Sequence, residues 1–106
     1  MSEPTTAHAA PVDRFDPASA YVLAPTVSLR PEPFGALVYD FTTRRLSFLK
    51  TPQLVTVVRE LGDREDAVAA ITAAGVPLAE HDKYLGALAD LYRAGTILRR
   101  NSEGQQ

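Results

Sequence analysis

The sequence predicts an α+β fold, a three-stranded antiparallel sheet followed by a three-helix bundle, and three observations carry that prediction. Apolar residues alternate with a period of two from Tyr21 to Lys50. The period becomes helical after the pair Thr51-Pro52. Glycines at 62, 75 and 95 then divide the remainder into three helical stretches.

In the first strand, Tyr21, Leu23, Val27 and Leu29 could share one face. Pro25 interrupts the run, which reads as an edge strand, a bulge or two short pieces. Pro31 and Pro33 bracket Glu32 and impose an extended link followed by a turn. The second strand runs from Phe34 to Phe41, with Leu37, Tyr39 and Phe41 on one face and Ala36, Val38 and Asp40 on the other. Thr42, Thr43 and Arg44 form a hairpin connection, and Arg45 to Lys50 make the third strand. There, Leu46 and Phe48 are the better core candidates, which leaves Arg45, Ser47 and Leu49 on the outer side. Thr51 is a natural N-cap with Pro52 in the first helical position, and Leu54, Val57, Val58 and Leu61 follow at helical spacing. Asp63 is expected to cap a second helix with Glu65 and Asp66 in its first turn and Val68, Ile71 and Ala74 on its apolar side. A third helix is expected from about Glu80 to Ala94, with a broad stripe of Tyr84, Leu85, Leu88, Leu91 and Tyr92. Ile97 and Leu98 either add a short strand or dock on the core. Two short helices and a longer one beside a sheet are winged helix-turn-helix-like, an analogy of form that does not give function.

The chain of 106 residues has room for one domain. Pro4, Pro11 and Pro17 lie among Ser, Thr and Ala without apolar periodicity, so residues 1–19 are expected to be a disordered leader. Residues 20–99 form the domain, and 100–106 are a polar tail expected to be disordered. With no cysteine, disulfides and thiolate metal sites are excluded. The N-terminus lacks the pattern of a secretory signal and no apolar run approaches membrane-span length, so a cytoplasmic location is expected.

The residues also argue against an enzyme. Of the two histidines, His8 lies in the leader and His81 at the start of the third helix, beside Asp82. Neighbouring positions on a helix face different directions, so that pair does not make a metal site. The carboxylates at Asp63, Glu65 and Asp66, and at Glu80 and Asp82, fit helix starts better than a general acid/base pair. No phosphate loop, dinucleotide fingerprint or nucleophile elbow occurs, and no cofactor is expected. Nucleic acid is also disfavoured. The formal charge is −2, and residues 51–94 hold four basic against seven acidic side chains. The sheet half differs, because Arg30, Arg44, Arg45 and Lys50 outnumber Glu32 and Asp40. Those cations either guard a strand edge or meet an acidic partner.

The segment Leu29 to Lys50, reading LRPEPFGALVYDFTTRRLSFLK, resembles the mycofactocin precursor-peptide chaperones, above all in Arg30 to Leu37 and Leu46 to Lys50. The helices match that family in layout and spacing more than in letter, and the leader before about Phe15 matches nothing. The family is similar to the pyrroloquinoline-quinone biosynthesis chaperone. The resemblance implies a peptide-recognition domain that binds the leader of a ribosomally made precursor peptide between its third strand and third helix. It would then present the peptide to a radical S-adenosylmethionine maturase. Strand addition to an open sheet edge is the physical mode implied. The candidate peptide-binding residues are Arg44, Arg45, Leu46, Ser47, Phe48, Leu49 and Lys50 on the strand, with Tyr84, Leu88, Leu91 and Tyr92 on the helix. The rival expectation is a stand-alone interaction or DNA-binding regulatory module.

Overall fold

The computed structural model describes residues 14–100. The elements are β1 (Tyr21–Leu23), β2 (Val27–Glu32), β3 (Gly35–Asp40), β4 (Arg45–Leu49), α1 (Pro52–Leu61), α2 (Ala67–Ala73), a 3₁₀ turn (Leu78–Glu80), α3 (His81–Arg93) and β5 (Ile97–Arg99). The fold is α+β with a three-stranded antiparallel sheet, β2-β3-β4, and three helices. It departs from the expected order in two ways. The first strand divides at Pro25, and β1 leaves the meander to pair antiparallel with β5 after the last helix. A proline that cannot donate to a ladder is where one sheet ends and the next begins.

The hairpins follow local chemistry. At the β3–β4 turn, the Asp40 carboxylate accepts from the Thr42 amide at 2.9 Å, and the Arg44 amide donates to the Asp40 carbonyl at 2.7 Å. Arg44 takes φ +63° to close it. Gly35 begins β3 with φ +155°, and a Cβ there would lie 2.0 Å from the Leu49 carbonyl oxygen. Only glycine fits both the backbone angle and that approach.

The faces of β4 are the reverse of those expected. Leu46 and Phe48 are 58% and 52% exposed, whereas Leu49 is 2% exposed and sits in the core with Ala36 and Val38. Arg45 and Ser47 therefore point with Leu49 toward the helices. Periodicity gave the two sets correctly but could not say which one the helices cover. Packing decided it, because Ala36, Val38 and Leu49 leave room for α1, whose Val55, Val57, Val58 and Leu61 are buried.

α1 begins as expected, with the Thr51 hydroxyl accepting from the Leu54 amide at 3.1 Å and Pro52 in the first turn. The second helix is shorter and starts later than expected. Asp66, not Asp63, is its cap, accepting from the Ala69 amide at 2.7 Å. Its buried residues are Ala67, Ala70 and Ile71, and Val68 is exposed. The misplacement has a tertiary cause. The Ala67 and Val68 amides donate to the Ser19 and Pro17 carbonyls, so a distant segment completes the cap and shifts the start.

Of the leader expected at 1–19, residues 1–13 lie outside the described residues, and 14–19 pack on the domain. Phe15 stacks on Tyr21 with ring centroids 4.8 Å apart, and Tyr92 meets Tyr21 edge-on at 5.3 Å. The Arg99 guanidinium donates to the Ser19 hydroxyl and to the Arg14 carbonyl and lies over the Tyr21 ring. Burial pushes the Tyr21 phenol above its usual range. In the tail, the Arg100 amide bonds the Ala20 carbonyl, and 101–106 lie outside the described residues.

Candidate functional site: the open edge of β4 beside α3

An antiparallel ladder alternates hydrogen-bonded and non-bonded pairs, and each residue aims its N–H and C=O to the same side. One bond fixes the phase here. The Phe41 amide donates to the Thr26 carbonyl at 2.8 Å, which makes Thr26 and Phe41 a bonded pair in the β2–β3 register. Counting in twos, Tyr39 and Leu37 also turn toward β2, so Ala36, Val38 and Asp40 turn toward β4. Their partners Leu49, Ser47 and Arg45 spend their backbone groups on β3. The intervening residues of β4, Leu46 and Phe48, aim theirs outward.

The same parity describes the opposite edge. Val27, Leu29 and Pro31 face outward on β2. The Val27 amide is bound to the Ala24 carbonyl, and Pro31 has no amide proton. That edge is blunted, in the manner of sheets guarded against strand addition. Pro31 is tolerated because its pair with Ala36 is one of the non-bonded ones. Only β4 offers consecutive outward donors, since Leu46 and Phe48 have no other backbone partner among the described residues.

Two clefts flank that edge on the side of α3. A larger one, of about 350 Å³, lies between the start of β4 and the end of the helix, lined by Val38, Asp40, Arg45, Leu46, Ser47, Ala94 and Thr96. A smaller one, of about 100 Å³ and nearly all apolar, lies at the other end, lined by Lys50, Thr51, Leu54, Lys83, Tyr84 and Ala87. Arg44 stands exposed in the hairpin beside the first cleft, and Lys50 and Lys83 flank the second. The groove between strand and helix therefore has an unpaired backbone ladder, hollows at both ends and a basic margin.

The structure distributes the expected site residues unevenly. Arg44, Arg45, Leu46, Ser47 and Lys50 border the edge or its clefts, and Phe48 contributes an outward backbone. Leu49 is core. On α3, Tyr84 lines the smaller cleft, whereas Leu88 is 0% exposed and Leu91 packs half-buried on the core. Tyr92 belongs to the cluster with Phe15 and Tyr21 on another flank of the helix. The sequence reading missed Lys83, Ala87, Ala94 and Thr96. Lys83 and Ala87 lie one position before and three after Tyr84, a spacing that places all three near one helix surface.

No group of three or more His, Cys, Asp or Glu side chains suited to a metal occurs among the described residues. His81 donates from Nε2 to the Val76 carbonyl at 3.1 Å, which gives it a structural task at the helix start. No helix among the described residues is long and apolar enough to cross a membrane.

Fold and groove define a small α+β domain with one strand edge left open beside a helix. The chain belongs to the peptide chaperone MftB family, whose model matches residues 20–98. It is 47% identical over 92 residues to the peptide chaperone MftB of Mycolicibacterium smegmatis, covering 87% of this chain and 90% of that one. It is 42% identical over 99 residues to the protein of the same name from Mycobacterium tuberculosis, covering 93% and 91%. No solved structure gives a significant match. The family resemblance read from Leu29 to Lys50 is thus borne out.

Proposed function

We propose that this chain is a peptide chaperone of mycofactocin biosynthesis. It binds the leader of a ribosomally made precursor peptide as a fourth strand along β4 and presents it to a radical S-adenosylmethionine maturase. It does no chemistry of its own, and its place of action is the cytoplasm. The observation that carries the reading is the asymmetry of the sheet, with one edge blunted by Pro31 and the other open beside α3. Main-chain bonds to Leu46 and Phe48 give affinity, and the clefts select side chains. Arg44, Arg45, Lys50 and Lys83 favour an acidic leader. The rival DNA-binding module is opposed by the charge of residues 51–94, where acids outnumber bases.

The test follows from the ladder. Phe48→Pro removes an outward donor while leaving the bonds to β3 in place, and Phe48→Ala controls for the lost ring. In a titration with precursor peptide, Phe48→Pro should bind about tenfold or more weakly, a loss of roughly 1.4 kcal/mol. Phe48→Ala should stay near the parent. A folded Phe48→Pro protein that binds like the parent would sink strand addition at this edge.

A further inference from the structure

The two clefts along the β4 edge differ in chemistry, and the larger one holds a group that the fold does not use. Thr96 is the single buried polar residue among the described ones, 8% exposed, and it lines that cleft. Its amide and carbonyl bond Leu91 and Ala24, but its hydroxyl makes no hydrogen bond among the described residues. A buried hydroxyl without a partner costs stability, and such groups are uncommon in native domains. This hydroxyl is not sealed, since the side-chain atoms buried without a partner are the Nε atoms of Arg99 and Arg100. It therefore opens into the cleft. The side chains of Arg45 and Ser47 line the same cleft and make no hydrogen bond or ion pair among the described residues. The acceptors nearby are engaged. Asp40 takes the Thr42 and Thr43 amides on one carboxylate oxygen. The Asp90, Leu91 and Tyr92 carbonyls at the end of α3 take the amides of Ala94, Thr96 and Gly95. Donors outnumber free acceptors, so the cleft suits an acceptor ligand.

The smaller cleft has the opposite character. Leu54, Tyr84, Ala87 and the carbon stems of Lys50 and Lys83 leave it almost no polar surface. At about 100 Å³ it is smaller than the ~150 Å³ apolar cavity that admits benzene, which fits a branched aliphatic side chain.

We infer that the groove selects its peptide by two side chains. One is a carboxylate, held by Arg45 and the Thr96 hydroxyl. The other is a branched aliphatic group, seated against Tyr84 and Ala87. The inference rests on the peptide reading above and names what that peptide must carry. A guanidinium fork with a hydroxyl beside it recognises a carboxylate by directed hydrogen bonds as well as by charge. The spacing follows from the strand. Both clefts lie on the helix side of the edge, so the two side chains come from positions an even number apart. β4 runs five residues, Arg45–Leu49, with a cleft at each end, which sets the two side chains four positions apart in an extended chain. Thr96 is thus a specificity-determining residue, kept although its free hydroxyl does nothing for the fold.

The experiment titrates the precursor peptide, and single substitutions of its acidic and aliphatic residues, into the full-length parent and four variants. Thr96→Val keeps the buried shape and removes only the hydroxyl. Its thermal midpoint should stay level or rise while peptide affinity falls about fivefold. Arg45→Gln, at an exposed position, should fold normally and weaken binding to a similar extent. One acidic peptide residue, changed to its amide, should weaken binding to the parent but cause no further loss in either variant. Ala87→Leu fills the small cleft from the helix and should weaken binding about tenfold. Ala89→Leu, on the flank beside Phe15, should bind like the parent. One aliphatic peptide residue, four positions from the acid, should lose its effect when cut to Ala in the Ala87→Leu background. Parent-like affinity in folded Thr96→Val and Arg45→Gln overturns the inference, as does a coupled acid and aliphatic pair at any spacing but four. A peptide that is weakened by Phe48→Pro, yet has no side chain coupled to either cleft, overturns the inference and keeps strand addition. A parent that binds no peptide overturns the peptide reading itself, and the inference with it.

Discussion

The two outer strands of the meander, β2 and β4, are built from similar alternating residues, yet one edge is closed and the other open. On β2 the outward positions are Val27, Leu29 and Pro31. One amide is already bonded and one is missing, so little is left to pair. On β4 the outward amides of Leu46 and Phe48 remain, with clefts and basic side chains beside them. A small domain thus needs no special motif to leave one strand edge open. It can close one edge with a proline and leave the other unguarded.

The comparison breaks most severely if β4 is detached from β3. Gly35→Ala sets a Cβ against the Leu49 carbonyl at a φ that side chains rarely adopt, so stability should fall by about 3 kcal/mol or more. Denaturant unfolding measures this, and a loss within scatter would mean that the hairpin tolerates a shifted β4. Next in size is the contrast along β4 itself. Ser47→Pro removes an inward amide that pairs with Val38 and should cost about 1–3 kcal/mol of stability. Phe48→Pro, one residue on, should stay within roughly 0.5 kcal/mol of Phe48→Ala, because its amide faces solvent. Equal destabilisation by the two prolines would refute the assigned ladder phase.

Charge effects should be smaller. Reversing Arg44 and Arg45 to Glu should weaken peptide binding several-fold and reduce its salt dependence, since exposed pairs contribute about 0.2–1 kcal/mol each. Affinity unchanged at low salt would reduce both to edge guards. The smallest change is expected from Pro31→Val, which restores a donor to the closed edge. Peptide affinity and stability should hardly move, while sedimentation at high concentration should reveal new self-association through β2. Increased peptide stoichiometry in this variant would show that the two edges differ only by that proline.

The local devices were legible in the chain's own residues. Thr51-Pro52 started α1, Gly75 and Gly95 followed the second and third helices, Asp40 with Thr42 and Thr43 made the hairpin, and Leu29 to Lys50 carried the family resemblance. These depend on neighbours a few residues apart, whose chemistry a sequence displays directly. Tertiary structure decided the rest. Leu46 and Phe48 make the more apolar face of β4, yet the packing of α1 against Ala36, Val38 and Leu49 left them outside. The start of α2 moved to Asp66 because carbonyls of residues 17 and 19 reach its amides. β1 joined β5 across more than seventy positions. Tyr92, equivalent to Tyr84 in the helical stripe, was claimed by Phe15 and Tyr21. In each case the outcome depended on which of several satisfactory local choices found a partner distant in sequence, and periodicity holds no information about that.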